Sequence, residues 1–276
     1  MRVGNNPLRG HKVTEMPTLA AAVITHLPTN QEGYHRGRLE VVQTCINSLM
    51  VNAEREIPLL VWDNGSGPEL RDWLVNYRKP DFLILSPNIG KAGARTSIVR
   101  MFPPETVLCI SDDDMYYHPN WLEPQLELLK GFPNVGAVSG YPVRTQFRWG
   151  NAATLKWAEE TPGVKITRGK LIPEQWDRDF CKSVQRDWAY QVERTKDEQD
   201  IMIEWQGMKA YATAHHCQFM CITGRIEYIV QWDGEAMGDE KKFDNAIDKE
   251  GLLRLTTTER LTQHMGNMME KEFKVR

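Results

Sequence analysis

The chain has 276 residues, of which 41% are hydrophobic and 26% are charged, a composition typical of a folded globular protein rather than a disordered one. With 34 Lys and Arg against 37 Asp and Glu, the net charge of −3 argues against a general nucleic-acid-binding surface. No apolar stretch predicts a transmembrane helix, and residues 1–16 lack a secretory signal. The five scattered cysteines predict reduced thiols, so we expect a cytoplasmic protein.

Strand and helix patterns alternate along the first half of the chain. Apolar runs predict strands at residues 18–25, 58–62, 82–85, 106–111 and 135–138. Helical spacing of apolar residues predicts helices at residues 38–53, 68–78, 92–101 and 120–130. This alternation indicates βαβ units and an α/β fold, with a mostly parallel sheet flanked by helices. In such sheets ligands bind beyond the carboxyl ends of the strands.

The regular alternation is lost from about residue 141 onward. We predict one helix at residues 178–196, a strand within residues 209–223, and a helix at residues 240–250 that ends at Gly251. The sequence contains no linker or internal repeat, which predicts a single domain. We expect residues 1–17 to be an N-terminal extension, residues 18–140 to form one half of the domain, and residues 141–276 to supply a second wall to the site.

The most informative motif is the run of three carboxylates Asp112, Asp113 and Asp114, which follows the apolar run 106–111. Three adjacent anions repel one another and are costly to bury, so we expect a positive group beside them. A divalent cation is the simplest candidate, and oxygen ligands favour magnesium or manganese over zinc or copper. The alternative is an acidic turn that caps the next helix.

Polar residues also end the first two predicted strands, at Thr25 and Asp63. The topology of a parallel sheet brings both to the edge that carries the acidic triple. Asp63 can accept a hydrogen bond from a pyrimidine N–H. The alternative is an Asx turn, which Asn64-Gly65 also fits.

Residues 88–95 connect the third strand to a helix and contain Asn88, Gly90, Lys91 and Arg95. Small residues let the backbone approach a ligand closely. A helix N-terminus and an arginine both favour a bound diphosphate. The alternative is a tight strand-to-helix connection in which Lys91 is a solvated side chain.

Two further groups lie in the second half. Asp239 and Glu240 open a predicted helix, and His264 follows a run of threonines. The cysteines and histidines at residues 215–217 and 221 could suggest zinc, but their spacing matches no common zinc pattern. We therefore interpret them as packing residues of a strand.

The order of these motifs resembles that of the nucleotide-sugar-dependent glycosyltransferases of the GT-A fold, most closely family 2. The resemblance spans roughly residues 18–267, and it implies a GT-A-like, Rossmann-like fold. It implies an inverting transfer of sugar from a nucleoside diphosphate sugar, most simply a UDP-sugar, with Mn²⁺ or Mg²⁺. In this resemblance Asp63 contacts the base, Asp112 contacts the nucleotide and Asp114 binds the metal. Asp113 can take either of the last two roles, and His264 completes the metal shell.

The resemblance places the catalytic base at Glu240, three residues before the apolar Phe243. The usual order of this acidic pair is Glu-Asp, and here it is inverted to Asp239-Glu240, so either carboxylate is a candidate. The alternative is a pair of acids that stabilises the positive end of the helix dipole.

Two other functions are compatible with an acidic strand end. A nucleotidyltransferase would carry a Gly-rich basic loop directly after the first strand, and residues 25–30 have none. A nucleotide- or sugar-binding module would not need the intact carboxylates at both positions. The acceptor is not indicated: carbohydrate, lipid-linked sugar, protein and modified nucleic-acid base all remain open.

Overall fold

A computed structural model describes residues 15–30, 32–229 and 240–267, together with the single residues 4, 10, 12, 234, 235, 269 and 273. The strands in these ranges are β1 (Leu19–Thr25), β2 (Leu59–Asn64), β3 (Phe82–Ser86), β4 (Val107–Asp112), β5 (Met115–Tyr117), β6 (Val135–Ser139), β7 (Lys165–Gly169), β8 (Asp200–Trp205), β9 (Met208–Tyr211), β10 (Gln218–Ile222), β11 (Leu253–Thr257) and β12 (Thr262–His264). The α-helices are α1 (Arg38–Val51), α2 (Pro68–Asp72), α3 (Lys91–Met101), α4 (Leu122–Gly131), α5 (Ala152–Glu160), α6 (Glu174–Ser183), α7 (Trp188–Thr195), α8 (Thr223–Ile226) and α9 (Glu240–Lys249). None of the described helices is long and apolar enough to cross a membrane.

One sheet runs through both halves of the chain, in the order β3-β2-β1-β4-β10-β6-β11-β9-β8-β7. The first four of these strands are parallel, as the strand and helix alternation predicts. Strand β10 then inserts antiparallel between β4 and β6. A segment of the second half therefore lies directly beside the strand that ends in the acidic triple.

A small second sheet ties the end of the described chain to the same place. Strand β12 pairs antiparallel with β5, and His264 lies opposite Met115. The backbone N–H of Met265 donates to the Asp114 carbonyl at 2.8 Å. His264 is thereby held next to the acidic triple although 150 positions separate it from Asp114 in the sequence numbering.

The core lies on both faces of the sheet. Along β1, Ala21 and Val23 pack toward α1, while Ala20, Ala22 and Ile24 pack toward α3. Alternation of this kind follows from the two-residue period of a strand. Because helices cover both faces of the sheet, β1 is apolar along its length. Polar side chains that bind a ligand can therefore lie only at its carboxyl end.

One element prediction for the second half was wrong. The predicted helix 178–196 is divided into α6 and α7, with Gln185 at a φ of 51° between them. That left-handed conformation interrupts the helix, and Asp187 starts α7 by accepting a hydrogen bond from the Tyr190 N–H. Residues 209–223 contain a strand as predicted, β10, and also most of β9, which pairs with a different partner.

Smaller differences concern the first half. The predicted helix 68–78 is α-helical only as far as Asp72 and continues as a π-helical segment, Trp73–Arg78. The short strand β5 was not predicted, because three residues give too little periodicity to recognise.

Arg144 forms a buried charge cluster that joins three segments of the second half. Its Nε donates to Asp200 Oδ1 at 2.9 Å, its Nη1 pairs with Asp177, and its Nη2 donates to the Ile172 carbonyl at 2.7 Å. Both carboxylates are almost fully buried.

We expect Arg144→Met to lower the free energy of unfolding by about 3–5 kcal/mol, because it leaves two buried carboxylates without a cation. Urea denaturation measures this change. The control is Arg55→Met, which removes an exposed ion pair with Glu123 and is expected to cost less than about 1 kcal/mol. Equal losses in the two variants would contradict the prediction.

Candidate active site

The carboxyl ends of β1, β2 and β4 meet in a cleft with a volume of about 370 Å³. It is lined by residues at these strand ends, in the segments before α1 and α3, and at the starts of those helices: Ile24, His26, His35, Arg38, Asn64, Asn88, Lys91, Asp112, Asp113 and Asp114. The predicted convergence of polar strand ends on one edge of the sheet is confirmed. It follows from the parallel pairing of these strands.

The acidic triple is partly neutralised by two side chains from other elements. Lys91 Nζ lies 2.7 Å from Asp112 Oδ2. Arg38 pairs with Asp113, and its Nη1 lies 3.0 Å from Asp114 Oδ2. The Asp113 carboxylate also accepts the backbone N–H of His26 at 3.1 Å. Lys91 and Arg38 thus supply part of the positive charge that the sequence predicts beside the acidic triple.

Arg38 was missed by the sequence analysis, although one signal could have identified it. It is the first residue of α1, the helix that follows β1. A helix that begins after a parallel strand starts at the carboxyl edge of the sheet, so its first-turn side chains can reach the ligand cleft.

Asp113 and Asp114 have different electrostatic environments. Burial raises the pKa of Asp113, Arg38 offsets part of that rise, and the result is a pKa of about 6. Burial also acts on Asp114, but His264 and Arg38 outweigh it and hold the pKa of Asp114 well below its usual range. Asp114 is therefore a permanent anion near neutral pH.

Asp114 and His264 fit a divalent cation. Asp114 Oδ1 is buried and has no hydrogen-bond partner among the described residues. His264 Nε2 lies 3.3 Å from Asp114 Oδ2, and His264 Nδ1 lies 2.9 Å from the Ser183 hydroxyl, which orients the ring. A free carboxylate oxygen beside an imidazole nitrogen is a donor set that suits manganese, and the Asp114 oxygens also suit magnesium.

We expect manganese affinity to fall as the pH is lowered, because a metal needs the neutral His264 ring. Burial alone would lower the pKa of His264, but the Asp114 carboxylate outweighs it and raises that pKa above the usual 6.5. Below this raised pKa the ring is a cation that repels the metal, so affinity should begin to fall at a higher pH than an ordinary histidine would give. Calorimetric titration with Mn²⁺ at several pH values measures this affinity. An affinity that does not depend on pH would contradict His264 as a metal ligand.

Lys91 and Arg95 place two cations at the start of α3, of which Arg95 is buried and Lys91 is half-buried. Arg95 Nη2 lies 2.9 Å from Glu240 Oε2, and Lys91 Nζ lies 3.4 Å from Glu240 Oε1. Arg95 also stacks on Phe243, with 4.7 Å from Cζ to the ring centroid. Gly90, with a φ of 78°, allows the sharp entry into the helix. Two cations at a helix N-terminus form a ready site for a diphosphate.

Glu240 is held in an ion pair in this arrangement. Burial would raise the pKa of Glu240, but Arg95 and Lys91 outweigh it and hold that pKa far below the usual range. Glu240 is therefore a weak proton acceptor while both cations face it. Asp239, the other predicted catalytic carboxylate, lies outside the described residues.

Asp63 lies beneath the cleft rather than in its lining. It is fully buried and accepts from Arg71 Nε at 2.8 Å, from the Ser66 N–H at 3.2 Å and from the Thr25 hydroxyl at 3.4 Å. The next residue, Asn64, does line the cleft. The binding roles of Thr25 and Asp63 stay predictions, as does that of Asn88, which accepts a hydrogen bond from Asn64 Nδ2 at 3.2 Å.

The segment His215-His216-Cys217 lies beside the acidic triple. The Cys217 carbonyl accepts the backbone N–H of Asp112 at 2.8 Å. The possible ligand atoms of these three residues lie within 4.8 Å of one another, so the geometry can hold an ion although the spacing does not predict one. His216 Nδ1 lies 2.9 Å from Asp244 Oδ2, a contact that the sequence analysis missed.

Three solved structures that are similar to the chain have low sequence identity to it. The mannosyltransferase PcManGT from Pyrobaculum calidifontis, in complex with GDP-Man and Mn²⁺, is 20% identical, with a TM-score of 0.33 over 46% of this chain and 36% of that chain. GalNAc-T7 with UDP, GalNAc and Mn²⁺ is 12% identical, with a TM-score of 0.47 over 90% of this chain and 43% of that chain. S. aureus TarS is 17% identical, with a TM-score of 0.32 over 46% of this chain and 21% of that chain. The present chain covers less than half the length of each.

A search of curated proteins finds no match to the chain. The family model described as glycosyl transferase family 2 matches residues 33–192, which is more than half of the chain. That range contains the cleft-lining residues from Arg38 to the acidic triple, as well as both cations of α3. The chain belongs to glycosyl transferase family 2.

Proposed function

We propose that this glycosyltransferase is a metal-dependent, inverting enzyme that moves a sugar from a nucleoside diphosphate sugar, with a UDP-sugar as the expected donor. One observation carries the proposal: the acidic triple and Lys91 line a single cleft, Asp114 has a buried carboxylate oxygen without a hydrogen-bond partner among the described residues, and Arg95 follows Lys91 on the same helix. The anions suit a metal and the cations suit a diphosphate. A metal-dependent transfer from a nucleoside diphosphate sugar needs both a metal site and a diphosphate site.

In the proposed complex each side chain acts on one part of the donor. Lys91 and Arg95 hold the diphosphate, in place of their present contact with Glu240. Asp114 and His264 hold the metal, with Asp112 on the nucleotide. Asp113 takes either of the last two roles. When bound, the cation neutralises the charge that develops on the departing nucleoside diphosphate.

The acceptor would approach from the second half of the chain. Its oxygen or nitrogen attacks the anomeric carbon on the face opposite the diphosphate, in one displacement that inverts the configuration. Glu240 or Asp239 is the carboxylate that takes the acceptor proton. Residues 18–140 then form the donor half and residues 141–276 the acceptor half. We also propose a cytoplasmic location, which the free state of all five cysteines supports.

A thermal-shift screen of nucleotide sugars with and without Mn²⁺ tests the proposed function. Ligand at a hundredfold excess over its Kd stabilises the native state by about 2.7 kcal/mol, a readily measured shift. We expect a UDP-sugar with Mn²⁺ to raise the melting temperature more than either does alone. Stabilisation by nucleoside triphosphates and not by nucleotide sugars would instead indicate a nucleotidyltransferase. Tight binding without any metal-dependent hydrolysis of the donor would indicate a binding module.

A further inference from the structure

We propose that Arg254 is a positioning residue for the transfer reaction: it binds Asp244 on α9 and so holds Glu240, at the start of that helix, in place while the donor is bound. This inference rests on the proposed function, because it gives a support to one of the two candidate proton acceptors. Arg254 lies outside the cleft lining, so its loss should slow turnover without weakening donor binding.

Glu240 is tied to α3 by two ion pairs. Its carboxylate lies 2.9 Å from Arg95 Nη2 and 3.4 Å from Lys91 Nζ. In the proposed donor complex both cations hold the diphosphate instead, so these ties weaken when the donor binds. Glu240 must then be held through its own helix, because a carboxylate takes a proton only from within hydrogen-bond reach.

One face of α9 carries three carboxylates at four-residue spacing: Glu240, Asp244 and Asp248. Residues four apart lie above one another on a helix, so these side chains form a row. Glu240 contacts the cations of α3, and Asp248 Oδ1 accepts the backbone N–H of Ala153 in α5 at 2.8 Å. The central carboxylate, Asp244, is only 1% exposed, so it needs a partner inside the protein.

Arg254 supplies that partner from the sheet. It lies on β11, is as deeply buried as Asp244, and places its Nη2 2.6 Å from Asp244 Oδ1. The other oxygen, Asp244 Oδ2, lies 2.9 Å from His216 Nδ1 and 3.3 Å from Trp149 Nε1. Both oxygens of Asp244 are therefore fixed by groups that do not belong to α3.

Backbone carbonyls fix Arg254 in turn. Its Nη1 donates to the Gly150 carbonyl at 2.6 Å, and its Nη2 also donates to the Ala214 carbonyl. Gly150 has a φ of 65°, and a Cβ at this position would clash with Arg254 Nη1, so glycine is needed for the close approach. The guanidinium thus joins α9 to the segments that precede α5 and β10. These contacts involve neither α3 nor the acidic triple, so they persist when the donor binds.

Loss of Arg254 should affect the chemical step more than donor binding. Without its cation the buried Asp244 carboxylate is costly, and a shift of α9 toward water lowers that cost. A displacement of about 1 Å in a reacting group can reduce a rate by about 100-fold. Lys91 and Arg95 belong to α3, so they should keep their affinity for the diphosphate.

The experiment follows the hydrolysis of a UDP-sugar with Mn²⁺, in which water replaces the unknown acceptor. The variants are Arg254→Met, Arg254→Lys, Asp244→Asn, Glu240→Gln and the double variant that combines Glu240→Gln with Arg254→Met. The control is Arg144→Met, which also removes a buried arginine from its carboxylates but does not touch α9. Steady-state kinetics give kcat and KM, calorimetry gives UDP affinity with Mn²⁺, and urea denaturation shows whether each variant is folded.

We expect Arg254→Met to lower kcat by about 10–100-fold, while KM does not rise and UDP affinity does not fall. Arg254→Lys should restore part of kcat, because an ammonium group can still pair with Asp244. Asp244→Asn keeps the shape of the side chain and should lower kcat in the same way, and it decides the question if Arg254→Met does not fold. Arg144→Met should lose stability but keep the wild-type kcat.

The double variant separates positioning from a general loss of stability. In the Glu240→Gln background, Arg254→Met should cause little further loss of kcat, because the carboxylate that Arg254 positions is already absent.

Three results would overturn the assignment. Wild-type kcat in folded Arg254→Met or Asp244→Asn would show that this contact does not position Glu240. An equal loss of kcat with and without the Glu240 carboxylate would show that Arg254 acts by another route. A parallel loss of UDP affinity would make the effect one on donor binding. A wild-type protein that neither binds UDP nor hydrolyses a UDP-sugar with Mn²⁺ would instead refute the proposed function, and the inference with it.

Discussion

Asp114→Ala is expected to abolish the manganese-dependent part of UDP binding. Asp114 has a buried carboxylate oxygen with no hydrogen-bond partner in the described part of the chain, and its other oxygen lies beside Arg38 and His264. The substitution removes the Asp114 carboxylate, whose negative charge Arg38 does not fully neutralise and which is therefore available to a metal ion. We expect manganese affinity to fall by more than about 100-fold, beyond the usual effect of losing an outer-shell partner. Calorimetric titration of UDP with and without Mn²⁺ measures both quantities.

Two companion variants make this result specific. His264→Ala should weaken manganese binding less than Asp114→Ala, because it removes a neutral ligand rather than an anion. Glu123→Ala removes a half-exposed carboxylate that pairs with Arg55, and should leave manganese binding unchanged. Wild-type UDP affinity with manganese in Asp114→Ala would show that the metal site is elsewhere.

Glu240→Gln is expected to raise UDP affinity while it lowers turnover. The substitution removes the anion that now faces both Lys91 and Arg95, so the diphosphate no longer competes with it for these cations. Turnover should fall by about 10²-fold or more, the scale of general base catalysis, because the substitution removes a candidate proton acceptor. Calorimetry and donor hydrolysis measure the two effects separately.

The control for this variant is Glu250→Gln, which removes one negative charge at an exposed position just beyond α9. In Lys91→Met the gain in UDP affinity caused by Glu240→Gln should shrink, because one of the two released cations is absent. An unchanged UDP affinity in Glu240→Gln would mean that the diphosphate does not bind at these cations. Unchanged turnover would remove Glu240 from the catalytic residues.

Local patterns in the sequence determined the half of the fold that holds the donor cleft. Apart from β5 and the π-helical end of the predicted helix 68–78, apolar runs and helical spacing predicted the strands and helices up to β6 to within a few residues, because periodicity reports which face of an element is buried. Parallel pairing then places the carboxyl strand ends at one edge. For this reason the sequence predicts that the acidic triple and residues 88–95 lie at the same edge of the sheet.

The same patterns did not predict the breaks between elements where the chain changes direction without a change in composition. Residues 178–196 have helical spacing throughout, yet the left-handed Gln185 divides them into two helices. Residues 209–223 have strand character, yet β9 and β10 pair with different strands. Periodicity describes burial, and it does not identify the partner against which a residue is buried.

The sequence by itself determined the family, the acidic triple at the end of β4 and the cations at the start of α3. Only the tertiary structure decided which charges meet. Arg38 reaches Asp113 across 75 positions and Arg95 reaches Glu240 across 145, while His216 meets Asp244 because β10 inserts beside β4 and α9 packs over that end of the sheet. These contacts depend on long-range strand order and helix packing, which local side-chain patterns do not encode.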